Sequence, residues 1–281
     1  MVTKLKEVDV VTIGVGLTGT MLAKELTLAG LTVVGLERGP DRRPQEEYVL
    51  PRIRDELKYG ARMELMQDNS VDTVTFRNNG DQTALPIRRW GAFLPGEGVG
   101  GTSNHWGGLH WRFLPTDYRI RTAIKEKYGA NAIPADMTIE DWPVSYDELE
   151  PYYDKFDKLC GVSGKAGNLK GQKIDGGNIF EGPRSNEYPS KPMKNSPGGM
   201  MLADACRNVG YHPFPAPFSA PSAPYTNIYG VTLGACEYCG FCGRNSCEAN
   251  AKASGTINVM PVLRNEPKFE LRTRAFVPKL V

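Results

Sequence analysis

The sequence lacks any apolar run near the roughly 20 residues that a bilayer-spanning helix needs, so it offers no transmembrane segment. It also lacks a charge imbalance. Thirty-four Lys and Arg stand against 32 Asp and Glu, scattered along the chain for a formal net charge of +2. Without a basic stripe or an acidic block, neither nucleic acid nor an anionic membrane is an expected direct partner. The first residues, MVTKLKEVDVVTIG, pass straight into an apolar strand pattern without the layout of a secretory leader, so no export signal is expected on this chain. There is no internal repeat and no low-complexity tract. What is present is glycine (31) and proline (21) above their average share, which suits ordered loops around a ligand better than a helical bundle. Six cysteines are also present, four of them within the span 236–247. At 281 residues the chain can bury a core without staples.

Periodicity places a β-branched strand at 8–13, a helix at 17–29 stopped by Gly30, and a second strand at 31–36. This βαβ unit predicts an α/β fold, an FAD-binding Rossmann-like doubly wound sheet with a second, incomplete region for substrate and cluster. Helical spacing continues over 45–66, and 71–76 alternates like a strand. Residues 91–108 form a long glycine-rich loop without period, the kind of segment that is usually functional. Ser145 and Glu148 make a capping-box pattern before a helix over 146–159, with Leu149, Tyr152, Tyr153 and Phe156 on one face. A short helix is expected at 200–209, and strands at 269–272 and 276–280.

Gly14, Gly16 and Gly19 form G-x-G-x-x-G between the first strand and helix, with Leu17 and Thr18 at the helix start. The first glycine permits the turn, the second lets the backbone approach a pyrophosphate, and the third lets helix and strand close up. The helix N-terminus then offers amides and a positive dipole end to phosphate. Glu37, 18 residues beyond Gly19, ends the second strand where a carboxylate can accept from an adenosine ribose, and Arg38 follows it. This fingerprint alone does not separate FAD from NAD.

A second loop separates them. Gly96-Glu97-Gly98-Val99-Gly100-Gly101-Thr102-Ser103-Asn104-His105-Trp106-Gly107-Gly108 resembles the glycine-rich flavin loop of the glucose-methanol-choline (GMC) oxidoreductases. Successive glycines expose backbone amides to a phosphate or ribityl chain. The resemblance implies that residues from Gly100 to Gly108 contact FAD. Many members of the family carry Asn where this chain has Trp106, whereas the His-Trp pair is similar to the pyranose oxidase branch. In that branch the matching histidine bonds covalently to the flavin, which makes His105 a candidate for the same link, with a noncovalent contact the alternative. The segment from Asp141 to Gly164 is similar to the start of the family's substrate domain, and the last strands resemble its return to the flavin domain, with Val277 near the adenine. The implied organisation is 1–145 for FAD, 146–254 for the start of the substrate domain with the cysteine segment, and 255–281 for the return strands.

Cys236, Cys239, Cys242 and Cys247 read C-x2-C-x2-C-x4-C. Zinc knuckles usually pair across a longer spacer, whereas consecutive x2 intervals suit an iron–sulfur cubane, so a cluster is favoured over zinc or disulfides. The last spacing departs from the ferredoxin run and no proline follows, which leaves the number of ligating thiolates open. Within the GMC family this segment resembles the large subunits of bacterial membrane-bound gluconate, fructose and glucose dehydrogenases, which implies a 3Fe-4S cluster, with 4Fe-4S the alternative. It further implies oxidation of a sugar, sugar acid or polyol alcohol, a small chaperone-like subunit, a cytochrome c subunit, and a site at the periplasmic face of the inner membrane reached through those partners. A cytoplasmic protein would have the same bare N-terminus. A flavin takes a hydride while a cluster passes single electrons, so a dehydrogenase is expected, with a GMC oxidase or a non-catalytic flavin module as alternatives.

Cys160 and Cys206 read as core thiols, His110 and His212 as satisfied or exposed imidazoles, and Arg38, Arg42 and Arg43 as solvated, with Arg38 also a candidate cofactor contact beside Glu37. Trp106 and Trp111 suit either the flavin site or the core. The family's proton-abstracting histidine lies near the end of a much longer chain, and no residue here is carried over as that base. The 281 residues alone are therefore expected to be inactive or a fragment.

Overall fold

A computed structural model of the chain describes residues 5–47, 65–87 and 94–280. Its centre is a parallel three-stranded sheet in which β2 (Val33–Leu36) lies between β1 (Val10–Ile13) and the strand Phe269–Arg272. Parallel pairing needs a crossover, and helix α1 (Leu17–Leu28) supplies it between β1 and β2. The last strand joins β2 from 233 residues further along, which places residues 274–275 beside the end of β2: Arg274 N–H donates to Gly39 O and Ala275 N–H to Glu37 O. The expected α/β class and its parallel sheet are therefore present.

The core gathers Val15, Ala23, Val33 and Val99 with Leu159, Val259, Met260 and Leu263, all of them essentially inaccessible. Burying such side chains contributes on the order of 1.5–3 kcal/mol each before entropy is subtracted. One face of β1 stays bare, with Val11 50% and Ile13 55% exposed. Among the described residues no helix is long and apolar enough to cross a membrane.

Several local expectations need correction. The alternation over 71–76 yields only a two-residue strand, Thr75–Phe76, paired with Leu85–Pro86, and Val71 lies exposed in a turn. Most of the expected helix over 45–66 falls outside the described residues; its described start is helical at Pro44–Glu47. The expected strand at 276–280 is irregular, with Phe276 and Leu280 exposed. Nothing pairs with it among the described residues, and alternation alone does not hold a strand.

Helix Tyr146–Cys160 starts at the foreseen box: Glu148 N–H donates to Ser145 Oγ, and Glu148 returns a carboxylate to Ser145 N–H. The face it buries matches the foreseen one only in part. Leu149, Tyr153 and Phe156 are half-buried, Phe156 against the core, but Tyr152 is exposed, and Tyr146, Glu150, Asp157 and Cys160 are buried. Two carboxylates on that face hide it from a search for apolar period. Cys206, expected in the core, is only half-buried, on a helix (Pro197–Asn208) that buries no residue.

Candidate functional site

The first glycine turn leaves β1 at Gly14, whose φ of +88° suits glycine. Gly19 lies so near this turn that a Cβ there would sit 2.2 Å from Gly14 O. Gly16 is the N-cap of α1, and no side chain caps the helix, so the amides of Leu17 and Thr18 open a first turn without a side-chain partner. The second turn docks on the first. Gly100 N–H donates to Val15 O at 2.8 Å, and Gly16 and Gly100 form a parallel bridge. Gly100 has φ +91°, and a Cβ would meet Thr256 Oγ1 at 2.2 Å. The two motifs, some 80 residues apart in sequence, thus make one backbone-lined cradle.

Glu37 stands at the end of β2 as expected, but its oxygens already accept from Val15 N–H and Gly39 N–H, both at 2.9 Å. A carboxylate has lone pairs beyond two acceptor bonds, so a ribose hydroxyl remains compatible. Arg38 pairs with Asp72 at 2.9 Å, and Arg42, expected to be solvated, is buried. Val277 is half-buried in the segment that passes Glu37–Gly39.

Residues Gly101–Asn104 make a short 3-10 turn closed by their own side chains. Asn104 Nδ2 donates to Val99 O at 2.8 Å, Thr256 Oγ1 donates to Asn104 Oδ1 at 2.9 Å, and Gly96 N–H donates to Thr102 Oγ1 at 2.9 Å. Ser103 Oγ accepts from Gly255 N–H at 3.1 Å. His105 is buried, and burial lowers its pKa. Its Nε2 faces Leu94 O at 2.9 Å and so carries the proton, while buried Nδ1 has no partner. Gly108 sits against Phe218, and Gly107 opens on space. An uncapped helix start, a glycine cradle and an unpartnered imidazole lone pair together fit a flavin dinucleotide.

Cys236, Cys239, Cys242 and Cys247 line one cavity of about 50 Å³ with Phe218, Tyr238 and Lys252. None is in a disulfide, and burial raises the pKa of Cys236 and Cys242. Among the described residues no group of three or more His, Cys, Asp or Glu stands at metal-ligating geometry, so the thiols surround the cavity rather than converge in it. Four free thiols around one space have the donor chemistry for an iron–sulfur group.

How this loop is attached is not legible from spacing or composition. Arg244 N–H donates to His105 O at 2.8 Å, Trp106 Nε1–H donates to Ala253 O at 2.7 Å, and Lys252 Nζ donates to Trp106 O at 2.7 Å. The later part of the cysteine segment and the residues just after it are thereby fastened to the His105–Trp106 strap, while Cys236 N–H donates to Pro221 O. Apart from Arg244, the residues that do this follow the last cysteine, in the run Lys252-Ala253-Ser254-Gly255-Thr256, whose sequence signal is slight.

Also unforeseen is a buried ionic lattice beside the cradle. Arg112 donates to Glu150 Oε1 (2.9 Å) and Asp157 Oδ2 (2.6 Å), and Arg184 donates to Asp157 Oδ2 (2.6 Å) and lies 3.6 Å over the Tyr188 ring. His110, expected to be a satisfied or exposed imidazole, is buried and satisfied, meeting Ser219 Oγ at 2.6 Å and Asp157 Oδ1 at 3.0 Å. Burial alone would raise the pKa of Asp157, but His110, Arg112 and Arg184 outweigh it and lower it. Ser219 is inaccessible, so this Ser-His-Asp chain presents no nucleophile. Trp111 lies half-exposed against Phe214, away from the cradle contacts.

No protein-family model matches the chain. It is 46% identical to the gluconate 2-dehydrogenase flavoprotein of Pantoea cypripedii over 98% of this chain and 45% of that protein. It is 29% identical to the fructose dehydrogenase large subunit of Gluconobacter japonicus over 85% of this chain and 39% of that protein. A solved FAD-dependent oxidoreductase from Chaetomium thermophilum overlaps 95% of this chain and 38% of its own at 15% identity and a TM-score of 0.46. The chain spans less than half the length of the curated relatives it matches. With its glycine cradle and a match along 98% of this chain to a gluconate 2-dehydrogenase flavoprotein, the chain belongs to the glucose-methanol-choline family of oxidoreductases.

Proposed function

We propose that this chain is part of an FAD-dependent dehydrogenase that oxidises an alcohol group of a sugar, sugar acid or polyol, passing electrons through a cysteine-held iron–sulfur cluster to a cytochrome. The observation that carries this reading is the triple attachment of the cysteine loop to the strap His105–Trp106. A group held by the four cysteines would share its supporting backbone with the flavin-facing loop, which keeps an electron path short. The names of the two curated relatives, a gluconate and a fructose dehydrogenase, support a sugar-type alcohol.

When bound, FAD supplies a two-electron acceptor for hydride and a cluster supplies a one-electron exit. The amides at Leu17, Thr18 and Gly19 would hold the pyrophosphate, and the turn Gly100–Asn104 with Gly107 and Gly108 would line the rest of the dinucleotide. Glu37 and Arg38, with Val277 across from them, border the adenosine end. His105 keeps its proton on Nε2 against Leu94 O and presents the free lone pair of Nδ1, the atom available for a covalent flavin link. Cys236, Cys239, Cys242 and Cys247 supply thiolates to the cluster. Residues 1–145, 146–254 and 255–281 serve as flavin region, start of the substrate and cluster region, and return strands. A small chaperone-like subunit, a cytochrome c subunit and a periplasmic location belong to the same proposal.

The test is chemical analysis of the purified full-length protein handled anaerobically. Flavin, iron and sulfide bound together, with turnover on an artificial acceptor and no peroxide, is the expected result. Metal-free protein with full acceptor activity would sink the cluster, and peroxide formed at the rate of substrate oxidation would replace the dehydrogenase by an oxidase. Flavin that stays on the chain after acid denaturation identifies the link at His105; complete release removes it.

A further inference from the structure

Lys252 is 1% exposed, lines the cysteine cavity and sits between the two halves of the site. Its ammonium donates to Trp106 O at 2.7 Å and to Cys242 O and Asn245 O at 2.6 Å, so all three protons are used. Its hydrogen bonding is therefore complete. Its charge is not compensated: among the described residues no carboxylate lies within ion-pair distance of Nζ, burial works against the ammonium, and the groups beside it that favour its charge are the sulfurs of Cys242, Cys247 and Cys239. Carbonyl dipoles solvate a cation but carry no net charge. A buried ammonium without a counter-ion is unfavourable. The contrast within the same molecule is direct, since buried Arg112 and Arg184 each face a carboxylate.

We propose that Lys252 is a positioning and charge-balancing residue for an anionic group held by the four cysteines, clamping their loop to the flavin strap and favouring the more reduced, more negative state of that group. The inference rests on the reading of the cysteines as cluster ligands. Reduction adds one negative charge beside a fixed positive one in a medium of low dielectric constant, so the ammonium stabilises the reduced form and raises the midpoint potential. As an outer partner of the ligands it also holds the group in place.

The experiment uses the full-length holoprotein with Lys252→Gln, Lys252→Met and Lys252→Arg. Gln keeps N–H donors for the carbonyls but no charge, Met keeps the chain length alone, and Arg keeps the charge. Two quantities are read: iron and sulfide retained against a chelator, and the midpoint potential from an anaerobic redox titration followed by electron paramagnetic resonance. The expected result is a lower potential in both neutral variants, with loss of iron faster by roughly ten- to a hundred-fold, and recovery toward wild type with Arg. Neutral variants with wild-type potential and iron retention would overturn the proposal. So would failure of both neutral variants to fold while Arg folds, because Lys252 would then be structural only. Absence of iron and sulfide from the wild-type protein is a different failure, that of the cluster reading itself, and leaves Lys252 without an anion to balance.

Discussion

Two regions of this molecule bury polar groups densely, and they do so by opposite means. The cradle formed by residues 99–106 and 252–258 is held almost wholly by backbone and neutral side chains, as in the bonds from Thr256 to Val99 and Asn104. The lattice beneath it is held by charge, with Arg112, Arg184 and His110 converging on Asp157. The lattice pairs each buried guanidinium with a carboxylate of its own. The cradle leaves amides, an imidazole nitrogen and one ammonium charge unanswered. Buried charge with partners marks scaffold; buried charge without them marks a place where a ligand belongs.

The sharpest break of this contrast is Asp157→Asn, which removes the one carboxylate charge shared by two buried guanidinium groups. It should cost about 3–5 kcal/mol, read as a lower denaturant midpoint, while protein that remains folded keeps its flavin-to-protein ratio. Flavin loss in step with instability would show that the two regions are not separable. Next comes Gly19→Ala, whose Cβ would run into Gly14 O at 2.2 Å. A penalty of about 1–3 kcal/mol is expected, and here the visible absorbance per chain should fall more than the stability does. Thr256→Val is smaller: it removes the hydroxyl between Val99 O and Asn104 Oδ1 at nearly constant volume, for about 1–2 kcal/mol by thermal unfolding.

The gentlest probe is acid. Burial opposes the charge of both Asp157 and Glu150, but His110 and the arginines, with Ser185 at Glu150, hold their pKa values below the usual carboxylate range. Groups of this kind add stability that is complete above the unfolded pKa and is lost as pH falls through the folded one. Glu181, raised by burial, works in the opposite sense and softens the change. Stability should therefore decline below about pH 4. A flat unfolding midpoint from pH 5 to 3 would remove the lattice from the scaffold's energetics.

The sequence was most legible where one residue type answers a backbone demand. Gly14 with φ +88° and the Ser145–Glu148 box behave as local rules require. It was least legible where polar residues occupy positions that pattern reading reserves for apolar ones. Glu150 and Asp157 make the buried face of their helix look like a surface, and Tyr152, on the face the apolar spacing marks, is exposed. Strand-like alternation at 71–76 and 276–280 failed for the complementary reason, since a strand requires a partner that the local sequence does not specify.

By itself the sequence determined the βαβ opening, the glycine turns and the crowding of four thiols, because these depend on short-range sterics and spacing. The docking of Gly100 on Gly16, the fastening of the cysteine loop to Trp106 and the isolation of the Lys252 charge were decided by tertiary structure alone. The first two join residues some 80 to 150 positions apart. Which polar atoms find partners over such distances is set by how the chain closes, and no local propensity encodes it.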